Sequence, residues 1–295
     1  MQLVNVFDVQ GNWYKANLHC HTTSSDGEVS AQQRAEQYRK RHYDILAITD
    51  HRITSSVENL CSDDFLVITG LEAHPYCGPD FLYHLICLNV PEGFELPDEY
   101  DANVCVRNVR QAGGEVILGH PYWCGHNINE MLAVQGYIGI EVFNATCTKI
   151  GKGFSGVHWD ELLDAGRFVG GIACDDTHRG RDIFMGWTMI KTERLTTTAV
   201  MDALRSGAFY ASCGPVIDDF RVQDNIASVR CTPAAEVHFI CDRDRGFSYY
   251  TDGGEPITEA EFNLHETSKY VRVEVVDEKG NHAWTNPILL DCSRR

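Results

Sequence analysis

The chain lacks any apolar run approaching the roughly 18 residues of a membrane-spanning helix, which excludes a helical membrane protein. It lacks a CxxC pair; its 12 cysteines are scattered, several within apolar segments (Cys87, Cys174, Cys241). Such usage in 295 residues fits reduced, buried thiols rather than a disulfide framework, and a cytoplasmic location is expected. The opening MQLVNVFDVQGNWYK has no basic region followed by a long apolar stretch and does not read as a signal peptide. Basic residues are scarce, 25 against 42 acidic, for a net charge of −17. That argues against non-specific binding to long nucleic acid or to an anionic membrane, both of which need a basic surface. A small anionic substrate stays open, because bound divalent ions would supply local positive charge. There is no P-loop, no HExxH and no GxSxG, so any chemistry must come from another constellation.

What is present is a chain with 43% apolar and 23% charged residues, long enough for a full-sized core and a smaller second domain. Apolar runs near residues 15–20, 44–49, 65–69, 83–90, 115–119, 138–143, 168–174 and 183–190 read as strands. Helical stretches fall between them. Residues 31–42 follow Ser30, with Gln33 in capping-box position, and residues 102–112 follow Asp101 and stop at Gly113-Gly114. Further helices end at Gly166 and near Gly207. The alternation predicts βα units and a parallel sheet over residues 1–212. Periodicity leaves open whether the sheet closes; the spread of polar strand ends favours a barrel, since a doubly wound sheet gathers its site at one switch point. From residue 213 to 295 the pattern becomes short alternating segments (EVHFIC, FSYYT, YVRVEVVDEKGNHAW), which predict a small antiparallel β domain, sandwich-like.

His19, His21, His51, Glu72, His120, Asp176 and His178 stand at the predicted C-terminal ends of strands. In a barrel those ends share one face, and a cluster of imidazoles and carboxylates there calls for divalent ions. His19 and His21, like Asp176 and His178, are spaced i, i+2 and point the same way on a strand. Asp26 lies in a turn close behind, as a hard oxygen ligand or simply a turn residue before Gly27. Glu72, with two oxygens, is a natural bridge. His84 begins its strand rather than ending it, and reads equally well as a buried histidine bonded to backbone. Asp50 offers an acceptor for an imidazole or a helix cap, and Asp175 reads as a structural acid. Asn144 is a candidate contact to substrate or to a ligand, and Glu141 a candidate inward-facing residue. Arg179 and Arg181 would clamp a phosphate, although a solvated loop is the commoner reading of such residues. His42, His74, His126, His158, His238, His265 and His282 lack the strand-end context and read as ordinary histidines.

The segments HCHTTSSDG, ITDH, GLE, GHP and DDTH, in this order, resemble the PHP (polymerase and histidinol phosphatase) family over residues 15 to about 212. AWTNPILL and the domain carrying it are similar to the carbaryl-hydrolase-like (CehA/McbA) branch of that superfamily. The resemblance implies an α/β fold, a distorted (β/α)7 barrel, holding two or three divalent ions (Mn, Zn or Fe, with Mg admissible). It implies one ion on His19, His21, Glu72 and Asp176. A second would lie on Asp26, His51 and His178, and a third on Glu72, His84 and His120. Some family members carry histidine where this chain has Asp26; a carboxylate there is harder and favours manganese or magnesium over zinc.

The leading expectation is hydrolysis of a small phosphate ester by a metal-bridging hydroxide, with Asp176, His178 and Arg179 at the chemistry and Asn144 and Arg179 on the substrate. Carbamate, ester or amide hydrolysis is the alternative that the CehA/McbA likeness implies, with Tyr122, Trp123 and Phe143 as candidate walls of an apolar slot. A non-catalytic metal-containing binding protein is the third.

Overall fold

A computed structural model describes residues 3–78, 81–97 and 101–290. The barrel strands are β1 (Asn12–Asn17), β2 (Ile45–Ile48), β3 (Leu66–Ala73), β4 (Leu85–Leu88), β5 (Glu115–Leu118), β6 (Gly139–Asn144) and β7 (Gly170–Cys174). They run side by side in that order. β2, β4, β5, β6 and β7 are buried along their whole length, which is why they read as continuous apolar runs rather than alternating ones. Ile45, Ile68, Ile86, Ile117, Ile172 and Ile190 share one core cluster. The ends of β7 and β1 are tied together, since Asp176 N donates to His19 O (3.0 Å) and His21 N to Thr177 O (2.9 Å).

Around the sheet lie α1 (Ala31–Arg39), α2 (Ala102–Gln111), α3 (Pro121–Cys124), α4 (Ile128–Ala133), α5 (Gly156–Asp164) and α6 (Thr197–Ser206). Ser30 and Gln33 form the reciprocal capping box at the start of α1, and the Asp101 side chain caps α2. Tyr38 of α1 packs with Leu46 and Ile48 behind β2, and its hydroxyl donates to Asp175 at 2.6 Å.

One strand departs from the expected parallel order. β4 runs antiparallel to both β3 and β5, pairing Ala73 with Leu85 and Leu85 with Leu118. Its first residues therefore lie beside the last residues of its neighbours.

Beyond the barrel, β8 (Trp187–Thr192) and β9 (Phe209–Ser212) extend the sheet antiparallel from β1. The C-terminal strands are β10 (Ile217–Gln223), β11 (Ile226–Ala234), β12 (Glu236–Cys241), β13 (Gly246–Tyr250), β14 (Ile257–Asn263), β15 (Tyr270–Val276), β16 (His282–Thr285) and β17 (Ile288–Leu289). β16 pairs with β9, so β16, β15, β12 and β13 continue the barrel's own sheet. β10, β11 and β14 make a separate three-stranded antiparallel sheet. The two sheets meet through Phe239 and Phe247, whose rings lie 5.7 and 6.0 Å from Phe262. Arg272 on β15 is buried and pairs with Asp160 of α5 at 2.8 Å, pinning the C-terminal strands to the barrel's helical layer.

Candidate metal centre

Glu72 ends up at the middle of the strand-end cluster, 1% exposed. Its Oε2 lies 2.7 Å from His51 Nδ1, 3.5 Å from the Nε2 atoms of His19 and His21, and 3.6 Å from His74 Nε2. Its Oε1 lies 2.5 Å from His84 Nδ1 and 3.4 Å from His120 Nε2. The two oxygens thus divide the histidines into two groups, the arrangement of a carboxylate that bridges ions. Asp176 closes the first group, with Oδ1 at 3.0 Å from His21 Nε2 and 3.2 Å from His19 Nε2. A third gathering holds Asp26, whose Oδ1 is 3.4 Å from His51 Nε2 and 3.8 Å from His21 Nδ1, and whose Oδ2 is 3.4 Å from His178 Nε2.

The orientation of these groups is set by neighbours that the ions would not touch. Glu141 accepts from His19 Nδ1 (2.7 Å), from His120 N (2.9 Å) and from Asn144 Nδ2 (2.8 Å). The buried Arg34 guanidinium donates to the carbonyls of His21 and His178. Asp50 binds no imidazole; it accepts from Thr22 N, Ser25 Oγ and Ser55 Oγ, fixing the loop between His21 and Asp26. Gly27 lies so close to His21 that a Cβ would stand 2.5 Å from its carbonyl oxygen. Asp176 (φ 54°) and His120 (φ 21°) both hold positive φ, a local cost of the kind that clusters at functional sites.

Whether this donor set suits divalent ions can be judged from its lone pairs. His19 Nδ1 donates to Glu141, so on the neutral ring Nε2 bears a lone pair; the tautomer follows from its partner. That nitrogen faces His21 Nε2 at 3.0 Å as well as Asp176 and Glu72. His178 Nδ1 donates to Asp176 O at 2.8 Å, and its Nε2 likewise faces the carboxylate of Asp26. His21 Nδ1 is buried with no hydrogen-bond partner among the described residues. Acceptors converging on acceptors need positive charge between them, and neutral imidazoles with carboxylates are the ordinary ligands of borderline and hard divalent cations. Sets of three or four donor atoms within 4.8 Å of one another include His21–Asp26–His51–His178, His19–His21–Glu72 and His19–His120–Asp176. The residues fit more than one ion.

The electrostatics agree. Burial opposes charging His19, but Asp176, Glu141 and Glu72 outweigh it and hold its pKa well above the usual value. Burial likewise opposes the charge on Glu72, yet His19, His120 and His51 hold it well below the carboxylate range. Burial pushes His21 and His84 down, toward the neutral form that binds metals. Cys174 sits near His19 and Glu141; burial drives its thiol well above the usual range, and it donates to Phe143 O.

The structure also places residues where the sequence reading did not. Asn144 is 1% exposed and its amide donates to Glu141 and Asp176, so it orients these two carboxylates. The Arg179 side chain is 59% exposed and lies 3.8 Å from Glu28. His74, read as ordinary, belongs to the site. β3 runs on to Ala73, so Glu72 and His74 form one more i, i+2 pair at a strand end, and that spacing was the available signal. Arg52 Nε donates to His74 Nδ1 at 3.1 Å, which leaves the His74 proton on Nε2, facing Glu72. Trp123 is 42% exposed, its ring 5.4 Å from His84 and 5.2 Å from His120.

One turn of helix carries His120 and its support together. Cys124 N donates to His120 O, and Cys124 Sγ lies 3.5 Å from His120 Nδ1. Partners of this kind hold a ligand ring in place and typically contribute 10–100-fold in metal affinity. Cys124→Ala is expected to weaken any ion held through His120 by about tenfold or more, read as metal stoichiometry at limiting manganese. Unchanged stoichiometry would mean that the thiol is idle.

His126 lies outside the cluster and gives a separate acid-stability prediction. It is 4% exposed, its Nε2 lacks a partner among the described residues, and burial pulls its pKa down to about 4. The unfolded chain takes this proton near pH 6.5, before the folded chain does. Its contribution is therefore intact above pH 6.5 and is lost as pH falls toward 4, by about 3 kcal/mol at most. His126→Gln should flatten the pH dependence of the urea midpoint between pH 7 and pH 4.5; an unaltered slope would refute the assignment.

No protein-family model and no curated protein matches the sequence. Solved structures resemble this chain to different degrees. One is a two-domain protein from Bacteroides vulgatus in which a PHP-like metal-dependent phosphoesterase was predicted. It aligns over 98% of this chain and 99% of its own, with 14% identity and a TM-score of 0.54. Another is an amidohydrolase from Chromobacterium violaceum with bound sulfate, over 57% of this chain and 89% of its own (15% identity, TM-score 0.45). The first likeness spans both the barrel and the C-terminal sheets, and the chain therefore has the α/β, PHP-like barrel architecture with an appended small antiparallel sheet.

Proposed function

We propose that this chain is a metal-dependent phosphoesterase acting on a small phosphate ester. The observation that carries the reading is Glu72, whose two oxygens split six histidines into two groups, with Asp176 completing one of them. Divalent ions held there would supply Lewis-acid charge and make water acidic enough to react near neutral pH. His19, His21, Glu72 and Asp176 would hold one, Asp26, His51 and His178 a second, and His84 and His120 a third.

The chain's own residues account for binding and proton handling. Glu141 and Arg34 lock the ligands. Arg52, beside His74, brings a guanidinium to the cluster, where it would draw in a phosphate dianion. His74 carries its proton on Nε2 with Arg52 behind it, and is the group best placed to hand a proton to the departing oxygen. Arg179 would reach a bound phosphate only by leaving Glu28. The unpaired thiols among the described residues support a reducing, cytoplasmic setting.

Trp123 supports the second reading, carbamate, ester or amide hydrolysis of the CehA/McbA type, because its half-exposed indole beside His84 and His120 would seat an aryl group. A panel of aryl phosphates, aryl carbamates and aryl esters, run on manganese-loaded protein, tests the proposal. Phosphate monoester turnover well above the others is expected; carbamate or ester turnover without phosphatase activity would overturn it in favour of the second reading.

A further inference from the structure

At the other end of the barrel lies a cavity of about 430 Å3 whose walls include Arg110, Glu115, Tyr137, Arg167, Phe168 and Arg205. Glu115 opens β5, and Val169, also on the wall, directly precedes β7. His120 and Asp176 leave the opposite ends of these two strands, roughly 16 and 23 Å away at 3.3 Å per residue. The cavity is thus remote from the metal centre.

Three guanidinium groups on one wall in a chain of net charge −17 are unusual company, and Glu115 is the only acid on that wall among the described residues. Asp202 pairs with Arg205 from outside the lining and is 64% exposed, where solvent screens it. Three positive charges less one leave +2 facing the cavity, which matches a phosphate monoester near neutral pH better than a single carboxylate.

The hydrogen bonds distinguish the arginines. Arg205 is committed to Glu115 Oε1 (2.7 Å), Asp202 Oδ1 (2.9 Å) and Gly113 O (2.9 Å). Arg167 braces the carbonyls of Leu132 and Val134. The Arg110 side chain makes one hydrogen bond among the described residues, to Gly136 O at 3.4 Å, and keeps most of its donors for something else. Glu115 Oε2 is buried and accepts no hydrogen bond among the described residues, with Arg110 Nε 3.8 Å away. A buried acceptor of this kind is costly to leave without a donor.

We propose that this cavity is a second, non-catalytic site for a small phosphate monoester bearing a hydroxyl group. Arg110 and Arg205 bind the phosphate through their remaining N–H groups, and the ligand's hydroxyl donates to Glu115 Oε2. The assignment is independent of what the metal centre does.

Calorimetric titration of the full chain with glycerol 3-phosphate tests it, with methyl phosphate as the probe that lacks a hydroxyl. Both titrations use the Asp176→Asn background, so that turnover at the metal centre adds no heat. Arg110 is the residue to change, because its side chain is 52% exposed and holds little of the fold. Saturable binding of glycerol 3-phosphate is expected, weakened about tenfold or more by Arg110→Gln and partly recovered in Arg110→Lys. Methyl phosphate should bind more weakly than glycerol 3-phosphate. Absence of saturable binding, or equal affinity in the parent and Arg110→Gln, would overturn the site. Equal affinity for the two probes would overturn the role given to Glu115.

Discussion

Asp176→Asn is expected to lower turnover on the order of a thousandfold, about 4 kcal/mol of barrel-top electrostatic stabilisation, while leaving the fold intact. Asp176 Oδ1 faces the imidazoles of His19 and His21, and Oδ2 accepts from Asn144 Nδ2 at 3.2 Å. The amide removes the negative charge that would hold an ion and presents an NH2 group to partners that expect an acceptor. Asparagine is also the replacement least disturbing to the backbone. The residue sits at φ 54°, a conformation that Asn tolerates better than most L-residues. A comparison of steady-state rates with thermal melts in chelator separates the two effects: rate lost, metal-free melting temperature little changed. Undiminished turnover would mean that Asp176 takes no part in the chemistry.

Metal removal should have an equally large effect, and on stability as well as rate. Ions that bind only the folded chain stabilise it in proportion to the logarithm of their saturation, about 4 kcal/mol for an ion at a thousand times its Kd. Stripping two such ions is expected to lower the melting temperature by on the order of 10 °C and to abolish activity, both restored by manganese. The physical reason is the set of facing acceptors, such as His178 Nε2 and Asp26 Oδ2, which repel one another unless a cation lies between them. Acid should ease the stripping, because Asp176, Glu141 and Glu72 favour a proton on His19 and that proton competes with metal. Full activity after exhaustive chelation, with an unshifted melt, would mean that protons alone hold the cluster together.

Much of this was legible in the sequence because parallel strands put their C-terminal ends on one face. His19, His21, His51, Glu72, His120, Asp176 and His178 could be gathered by that rule alone. His84 escaped it because β4 runs the other way: at an antiparallel strand, the first residue and not the last faces the site. His74 escaped because the strand was ended at residue 69, whereas the ladder with β4 carries β3 to Ala73. Asn144 and Glu141 were visible as strand-end polar residues, but only three-dimensional packing shows which side chains they hold: Asn144 donates to Glu141 and Asp176, and Glu141 accepts from His19. The continuation of the barrel sheet through β9 and β16 into the C-terminal strands left no local signature, since pairing between residues about 70 apart is not written in either segment's period.

The most direct measurement is anomalous X-ray diffraction from crystals of the manganese-loaded protein, collected at the manganese edge. Two or three peaks should appear within the cage of His19, His21, Asp26, His51, Glu72, His84, His120, Asp176 and His178, with the Glu72 carboxylate between neighbouring ions. Peaks confined to the surface acids, or none at all, would contradict the central claim.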